Sequence, residues 1–201
     1  MPRPRSVSPD RLASAALAVI DRAGLAGLTM RAVAAELGLT TMAVYRYVAD
    51  RDELEALVVE EVLRTLDASP PPAETWTEQL RILAERVRAA VDAHPGMVPL
   101  LISHRHRSAG LLRWSETVVR ILATAGFAGT PRVIALRGLT AYIIGALQLE
   151  HLGPLAGSGT VTISELADFP HLAETGRQAR GVDPDEEFAG GLAIMLRGLA
   201  R

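Results

Sequence analysis

The chain has 201 residues, with 21 basic and 23 acidic side chains and a net charge of −2, a balance that argues against indiscriminate binding of polyanions. Cysteine is absent and every basic residue is arginine, which excludes disulfides, thiolate metal sites, Schiff-base lysines and a Walker-type phosphate loop. Apolar residues make up 49% of the chain and aromatics only 4%; with alanine and leucine abundant, this mixture favours an all-α fold of one or two small domains.

Met1–Val7, rich in proline and arginine, is expected to be disordered. Ser8, Pro9 and Asp10 form a helix start, and Leu12, Ala16, Val19, Ile20 and Ala23 recur on one face until Gly24 stops the helix. Thr29 caps a second, short helix that Gly38 breaks. Thr40 caps a third, to about Tyr47 or Val48. Asp50 and Glu53 form a capping box for a fourth, with Leu54, Leu57, Val58 and Val62 inward. The run Ser69-Pro70-Pro71-Pro72 cannot be helical throughout and marks a boundary between domains at 8–67 and 73–201.

Longer helices follow. Thr75 with Glu78 opens one that ends at His94-Pro95-Gly96, and Met97 to about Ile102 is a short one. Ser108 to Ala125 is closed by Gly126, and Thr130 to His151 by Gly153-Pro154. Gly157–Thr160 reads as a loop, Ile163–Ala167 as a short helix, and Asp183-Pro184 as the start of the last helix. About nine to ten helices are expected, with no strand. The longest uncharged stretch, Gly138–Leu149, is too short to span a bilayer. No signal peptide is seen, so the expected location is the cytoplasm, with no membrane partner.

Charge is uneven. Residues 1–51 carry seven arginines against four acids, which suits a nucleic-acid contact confined to that end. There, Ala34 is small enough for two helices to cross closely, Gly38 follows four residues on at the turn, and Val44 six later plugs the angle between them. With Val44 and Val48 inward, Thr41, Met42, Tyr45 and Tyr47 face out. Exposed tyrosines on so short a helix fit a major-groove surface; packing against a neighbouring helix is the other reading.

Residues 8–62 resemble the DNA-binding domain of the TetR family. The match runs through Gly27-Leu28-Thr29-Met30-Arg31-Ala32-Val33-Ala34-Ala35-Glu36-Leu37-Gly38, then Val44-Tyr45-Arg46-Tyr47-Val48 and Arg51-Asp52-Glu53-Leu54, with Val44 in place of the usual leucine. The resemblance implies that Thr29 holds a phosphate and that Arg31 reaches a base edge. Thr40, Thr41, Met42 and Ala43 would form the start of the recognition helix. Tyr45 and Tyr47 would contact phosphates, and Arg51 would dock one at the fourth helix. Met42 departs from the residues usual at its position, so no operator sequence transfers. Arg46 is either a contact or a solvated charge.

The resemblance further implies that 73–201 binds a small-molecule effector and dimerises, as in the tetracycline-repressor subgroup. Leu100 stands where that subgroup has a magnesium-binding histidine, and Leu83 replaces a polar anchor, so a largely apolar effector is expected, without metal or cofactor. Candidate cavity walls are Leu83, Val87, Leu100, His104, Trp114, Ser115, Val118 and Tyr142; filling core is the alternative for each. His104 and His106 lie on different helix faces, which suits a solvated basic turn better than a metal site. Small residues suit a homodimer interface: Ala135, Gly138 and Ala141 on one helix, and Ala189, Gly190, Ala193 and Gly198 on the last; burial inside the same subunit is the other reading. No G-x-S-x-G elbow or same-face histidine pair is present. The expectation is therefore a ligand-released repressor of double-stranded, palindromic operator DNA, and not an enzyme.

Overall fold

The computed structural model describes residues 8–152 and 158–200, and among these the chain forms eleven α-helices and one 3-10 turn, with no strand. The expectations for Met1–Val7, Gly153-Pro154 and Gly157 lie outside the described residues.

Each of the first four helices begins where a short polar side chain can accept a hydrogen bond from a backbone N–H three residues on. In α1 (Pro9–Gly27) Ser8 accepts from Arg11 N–H, and in α2 (Met30–Glu36) Thr29 accepts from Ala32 N–H. In α3 (Thr41–Val44) Thr40 accepts from Ala43 N–H, and in α4 (Arg51–Leu63) Asp50 accepts from Glu53 N–H. These bonds satisfy amides that the helix itself leaves unpaired. Regular α1 ends at Gly24, whose φ is 68°, and one more turn reaches Gly27. Ala23, expected on the buried face, is exposed. The third helix stops at Val44, earlier than its pattern indicates; single turns carry the chain on to Tyr47, whose N–H donates to the Val44 carbonyl at 2.9 Å.

Beyond Leu63 the connecting segment is tied down. Arg86 donates to the carbonyls of Asp67 and Ser69, Thr117 to that of Ala68, and Gln79 to those of Pro71 and Ala73. Its proline run lies beyond the end of α4 and does not make a loose hinge. Asp67 itself is held below the usual carboxylate range by its hydrogen bonds from Ser69 and, secondarily, by the Arg86 charge.

The remaining helices are α5 (Trp76–Asp92), α6 (Val98–His104), α7 (Ala109–Thr124), α8 (Gly129–Leu152), α9 (Ser158–Ser164), α10 (Pro170–Ala179) and α11 (Pro184–Leu199), with the 3-10 turn Pro95–Met97 before α6. Thr75 caps α5, but the Glu78 carboxylate turns to Arg81 instead of completing a capping box. The total exceeds the expected nine to ten. The short helix expected at 163–167 lies at Ser158–Ser164, where a loop was expected, and α10 was not foreseen. Gly176, in the middle of α10, weakens its helical signal; here it packs its bare Cα against α9.

Buried side chains from α1 through α8 and α11 form one connected core, running from Leu12 and Ile20 through Leu54, Leu63, Leu83 and Leu122 to Leu147 and Leu192. The uncharged stretch Gly138–Leu149 is too short for a bilayer, yet the helix over Gly129–Glu150 is long and apolar enough to cross one, with 22% of its 18-residue apolar window buried within the subunit. It packs against α5, α6, α7 and α11.

Helices α4 and α7 meet at Gly110, where a Cβ would fall 2.3 Å from the Leu63 carbonyl oxygen. Gly110→Ala is therefore expected to force the helices apart, costing about 1–3 kcal/mol and lowering Tm by several degrees in calorimetry. An unchanged Tm would show that this approach carries no packing constraint.

Candidate nucleic-acid interface and cavity

The turn between α2 and α3 is built on Gly38, whose φ of 67° is open to glycine at little cost. Gly38 N–H bonds the Ala35 carbonyl at 3.1 Å, and Leu39 N–H the Ala34 carbonyl at 2.8 Å. This double closure satisfies the last carbonyls of α2 and sets the exit direction of the chain. Val33, Ala34, Val44 and Val48 are all buried beneath it. With those positions inside, the opposite side of 40–47 faces solvent. Met42 is 74% exposed, Tyr45 46% and Tyr47 38%. Thr41 and Ala43 are half-buried beside them, while Thr29, Arg31, Thr40 and Arg46 are exposed.

Thr29 and Thr40 accept capping bonds through their Oγ atoms, so each hydroxyl proton remains free to donate outward. Arg31 and Arg46 have no ion-pair partner among the described residues. Arg51 differs: its Nε donates to Glu55 at 2.7 Å and its Nη2 to the Leu25 carbonyl at 3.2 Å. The first turn of α4 also holds Asp52 and Glu53, which oppose an anion there.

A cleft of about 650 Å³ opens between α5, α6, α7 and α8. Of the eight expected walls, Val87, Trp114 and Ser115 line it. Leu83, Leu100 and Val118 are buried core instead, because each lies on the face of its helix that meets another helix. His104 faces α4, away from the cleft. Tyr142 lines a separate cleft of about 400 Å³ between α8 and α11, where its hydroxyl donates to the Phe188 carbonyl at 2.6 Å and burial pushes its pKa up. Trp114 is oriented by the body of the protein, its indole N–H donating to the Leu83 carbonyl at 2.9 Å.

Besides Ser115, the polar groups that border the larger cleft are Arg105, His106, Arg137, Thr140 and Gln148. None of these five is among the expected walls, and Arg105 and His106 border the cleft instead of forming a purely solvated turn. Thr140, Ile144 and Gln148 recur every four residues on α8, a spacing that could have revealed the stripe. Among the described residues no three metal-ligating side chains gather.

Helix α6 has a second face. His104 is 2% exposed, and its Nε2 lies 3.1 Å from Glu55 Oε2 of α4. Its buried Nδ1 has no partner. An orphaned lone pair costs less than an orphaned N–H, so the geometry favours the tautomer that donates from Nε2. Arg107 pairs with Asp52 at 2.5 Å. A further bridge joins His94 to Asp21 of α1 at 2.9 Å. At each of these contacts the carboxylate comes from α1 or α4 and the histidine or arginine from the larger helical body.

On the far side, α8 exposes Ile134, Gly138, Ala141 and Leu149, and α11 exposes Gly190, Ile194 and Gly198. Ala135, expected among the small residues of this face, is fully buried within its own subunit; Ala189 and Ala193 are half-buried. Arg88 joins α5 to both helices, pairing with Glu150 at 2.7 Å and Asp185 at 2.7 Å over the Phe188 ring. The Glu150 hydrogen bonds hold its guanidinium above even its ordinary high pKa.

Comparison with known proteins matches residues 12–56 to the model "Bacterial regulatory proteins, tetR family" and residues 69–201 to "Tetracyclin repressor-like, C-terminal domain". The chain is 32% identical over 153 residues to the HTH-type transcriptional repressor DrrR1 of Streptomyces coeruleorubidus, covering 74% of this chain and 55% of that repressor. It is 26% identical to the class A tetracycline repressor from transposon 1721 of Escherichia coli, over 97% of this chain and 91% of that one. Among solved structures, a protein of Streptomyces coelicolor A3(2) described as a possible TetR family regulator superposes with a TM-score of 0.86 at 28% identity, over 96% of this chain and 98% of the other. Streptomyces coelicolor ActR in complex with actinorhodin has a TM-score of 0.81 at 24% identity, over 98% and 97% of the two chains, a likeness of fold.

The His104–Glu55 contact is expected to give a coupling energy of about 1.5–3 kcal/mol in a double-mutant cycle of urea unfolding with His104→Ala and Glu55→Ala, since a carboxylate accepts a buried N–H there. Additive single and double variants would show the two side chains to be adjacent without interacting.

Proposed function

Because this chain belongs to the TetR family of bacterial regulators, we propose that residues 8–67 grip a near-palindromic operator and residues 73–201 release it when a small, largely apolar molecule fills the α5–α8 cleft. It is a ligand-responsive DNA-binding repressor and not an enzyme. The observation that carries the finer reading is the outward Thr41–Tyr47 surface on a turn closed by Gly38 and plugged by Val44.

In this reading α3 enters the major groove. Thr41, Met42 and Ala43 meet base edges and Arg31 reaches a guanine. Thr29, Thr40, Tyr45 and Tyr47 donate to flanking phosphates, which position without reading sequence. Arg51 serves a phosphate only after leaving Glu55, so its part is secondary. The exposed faces of α8 and α11 pair with their symmetry mates as a four-helix bundle, and that pairing covers the apolar surface α8 leaves open. Two heads fixed on one bundle meet successive major grooves about one helical turn apart. A protein that binds chromosomal operators works in the cytoplasm.

Release follows from the two faces of α6. A molecule in the cleft presses on Leu101 and Arg105, while His104 on the same helix holds Glu55 of α4. Displacement of α6 therefore reaches α4, and α4 carries the head. The effector lowers operator affinity by its preference for the displaced arrangement, no more and no less. The cleft walls support a largely apolar effector with a few polar groups, matched by Thr140, Gln148 and Arg105.

A mobility-shift titration against the promoter beside its own gene, with unrelated DNA as competitor, tests the reading. The promoter fragment is expected to shift selectively, with an affinity that falls steeply as salt rises. Tyr45→Phe and Tyr47→Phe are each expected to weaken binding at least about tenfold by removing a charge-assisted hydrogen bond. No shift would point to a catalytic protein, and equal shifts of both DNAs to a sequence-indifferent one.

A further inference from the structure

We propose that Met42 is a sequence-determining residue that packs its thioether against the C5-methyl group of a thymine at one fixed position in each operator half-site. The inference rests on the DNA-reading role given above to α3.

Met42 is the most exposed large apolar side chain among the described residues, at 74%. The next two, Ile194 at 65% and Ile134 at 62%, lie on the α8 and α11 face that the partner subunit covers. Single exposed apolar residues are ordinary on protein surfaces. This one stands in the first turn of the recognition helix, where side chains approach base edges. It is also held from both sides. The Thr40 hydroxyl oxygen caps the amide of Ala43, and Val44 is fully buried, so the backbone that carries Met42 has little freedom.

Chemistry then narrows the partner. In the stretch 40–47 the threonines, tyrosines and Arg46 all carry hydrogen-bond donors. Met42 carries none, and its sulfur is a weak acceptor. It gains nothing from the polar edges that guanine, adenine and cytosine present in the major groove. Thymine alone among the four bases shows an apolar group there. Met42 over a cytosine amino group would desolvate a donor without replacing its bond, which adds discrimination against that base. Tyr45 follows three residues on, at the end of α3, and is exposed as well.

The test uses the full-length dimer and a random-sequence duplex library. Wild-type protein is expected to select sites with thymine at one symmetric position in each half-site. Met42→Ala, at an exposed position that leaves the core untouched, is expected to lose that preference and keep the others; Met42→Gln is expected to shift it toward adenine, whose N6 and N7 a glutamine can bond. Deoxyuridine at that position in the selected site removes only the methyl group. It is expected to weaken wild-type binding about fourfold for each half-site, about fifteen-fold for both, from one buried methyl apiece. Met42→Ala binding should not change. With cytosine placed there, 5-methylcytosine should bind wild-type protein more tightly than cytosine does. Thymine retained by the Met42→Ala pool, or equal affinity for thymine and deoxyuridine sites, overturns the inference and leaves the DNA-reading role of α3 intact. A wild-type pool with no preferred sequence overturns that role and the inference with it.

Discussion

One backbone conformation underlies the outward surface of residues 40–47. At Gly38 the chain adopts a left-handed turn that a side chain makes costly, and this redirects it within two residues. Val44 then enters the space beside the small Ala34, and both are almost wholly buried. A four-residue helix has no stability of its own, because forming its first turn costs more than so few hydrogen bonds return. Helix α3 exists because Val44 and Val48 anchor it from below and Thr40 caps it from the front. The orientation of Met42, Tyr45 and Tyr47 follows from that anchoring.

The N-terminal helices meet the larger helical body chiefly through α4. It packs against α1 on one side and against α5, α6 and α7 on the other. The polar contacts along this seam share a polarity: Asp21, Asp52 and Glu55 face His94, Arg107 and His104. A seam of buried apolar contacts alone would tolerate sliding. The directional hydrogen bond between the buried His104 imidazole and Glu55 fixes the register of α6 on α4.

The parts legible in the sequence were those set by neighbours in the chain. Ser8, Thr29, Thr40, Asp50, Thr75 and Asp183 each cap a helix, because the donor sits only two or three residues away. The inward positions of Val44 and Val48 followed from helical spacing in the same way. The cavity was less legible. Leu83, Leu100 and Val118 carry the same periodic signal as true wall residues, and periodicity does not say which helix fills the space opposite. His104 sits between arginines in what reads as a solvated turn. Its burial depends on Glu55, 49 residues earlier, a pairing that no local pattern encodes. Ala135 belongs to the buried face of α8 and not to its exposed one, a distinction settled by the rotation of a helix that meets four others.

The tethered connector and the shared core have a bearing on engineering. Regulators of this architecture invite recombination, with the reader of one protein joined to the sensor of another, and the triple proline looks like a natural splice point. In this molecule such a splice would sever carbonyls that Gln79, Arg86 and Thr117 hold. It would also set Ile20 against a stranger's counterpart of Gly96, which here leaves no room for a side chain. A working chimera has to carry its own 94–107 strip along with the transplanted reader, so the exchangeable unit is larger than the stretch that touches DNA.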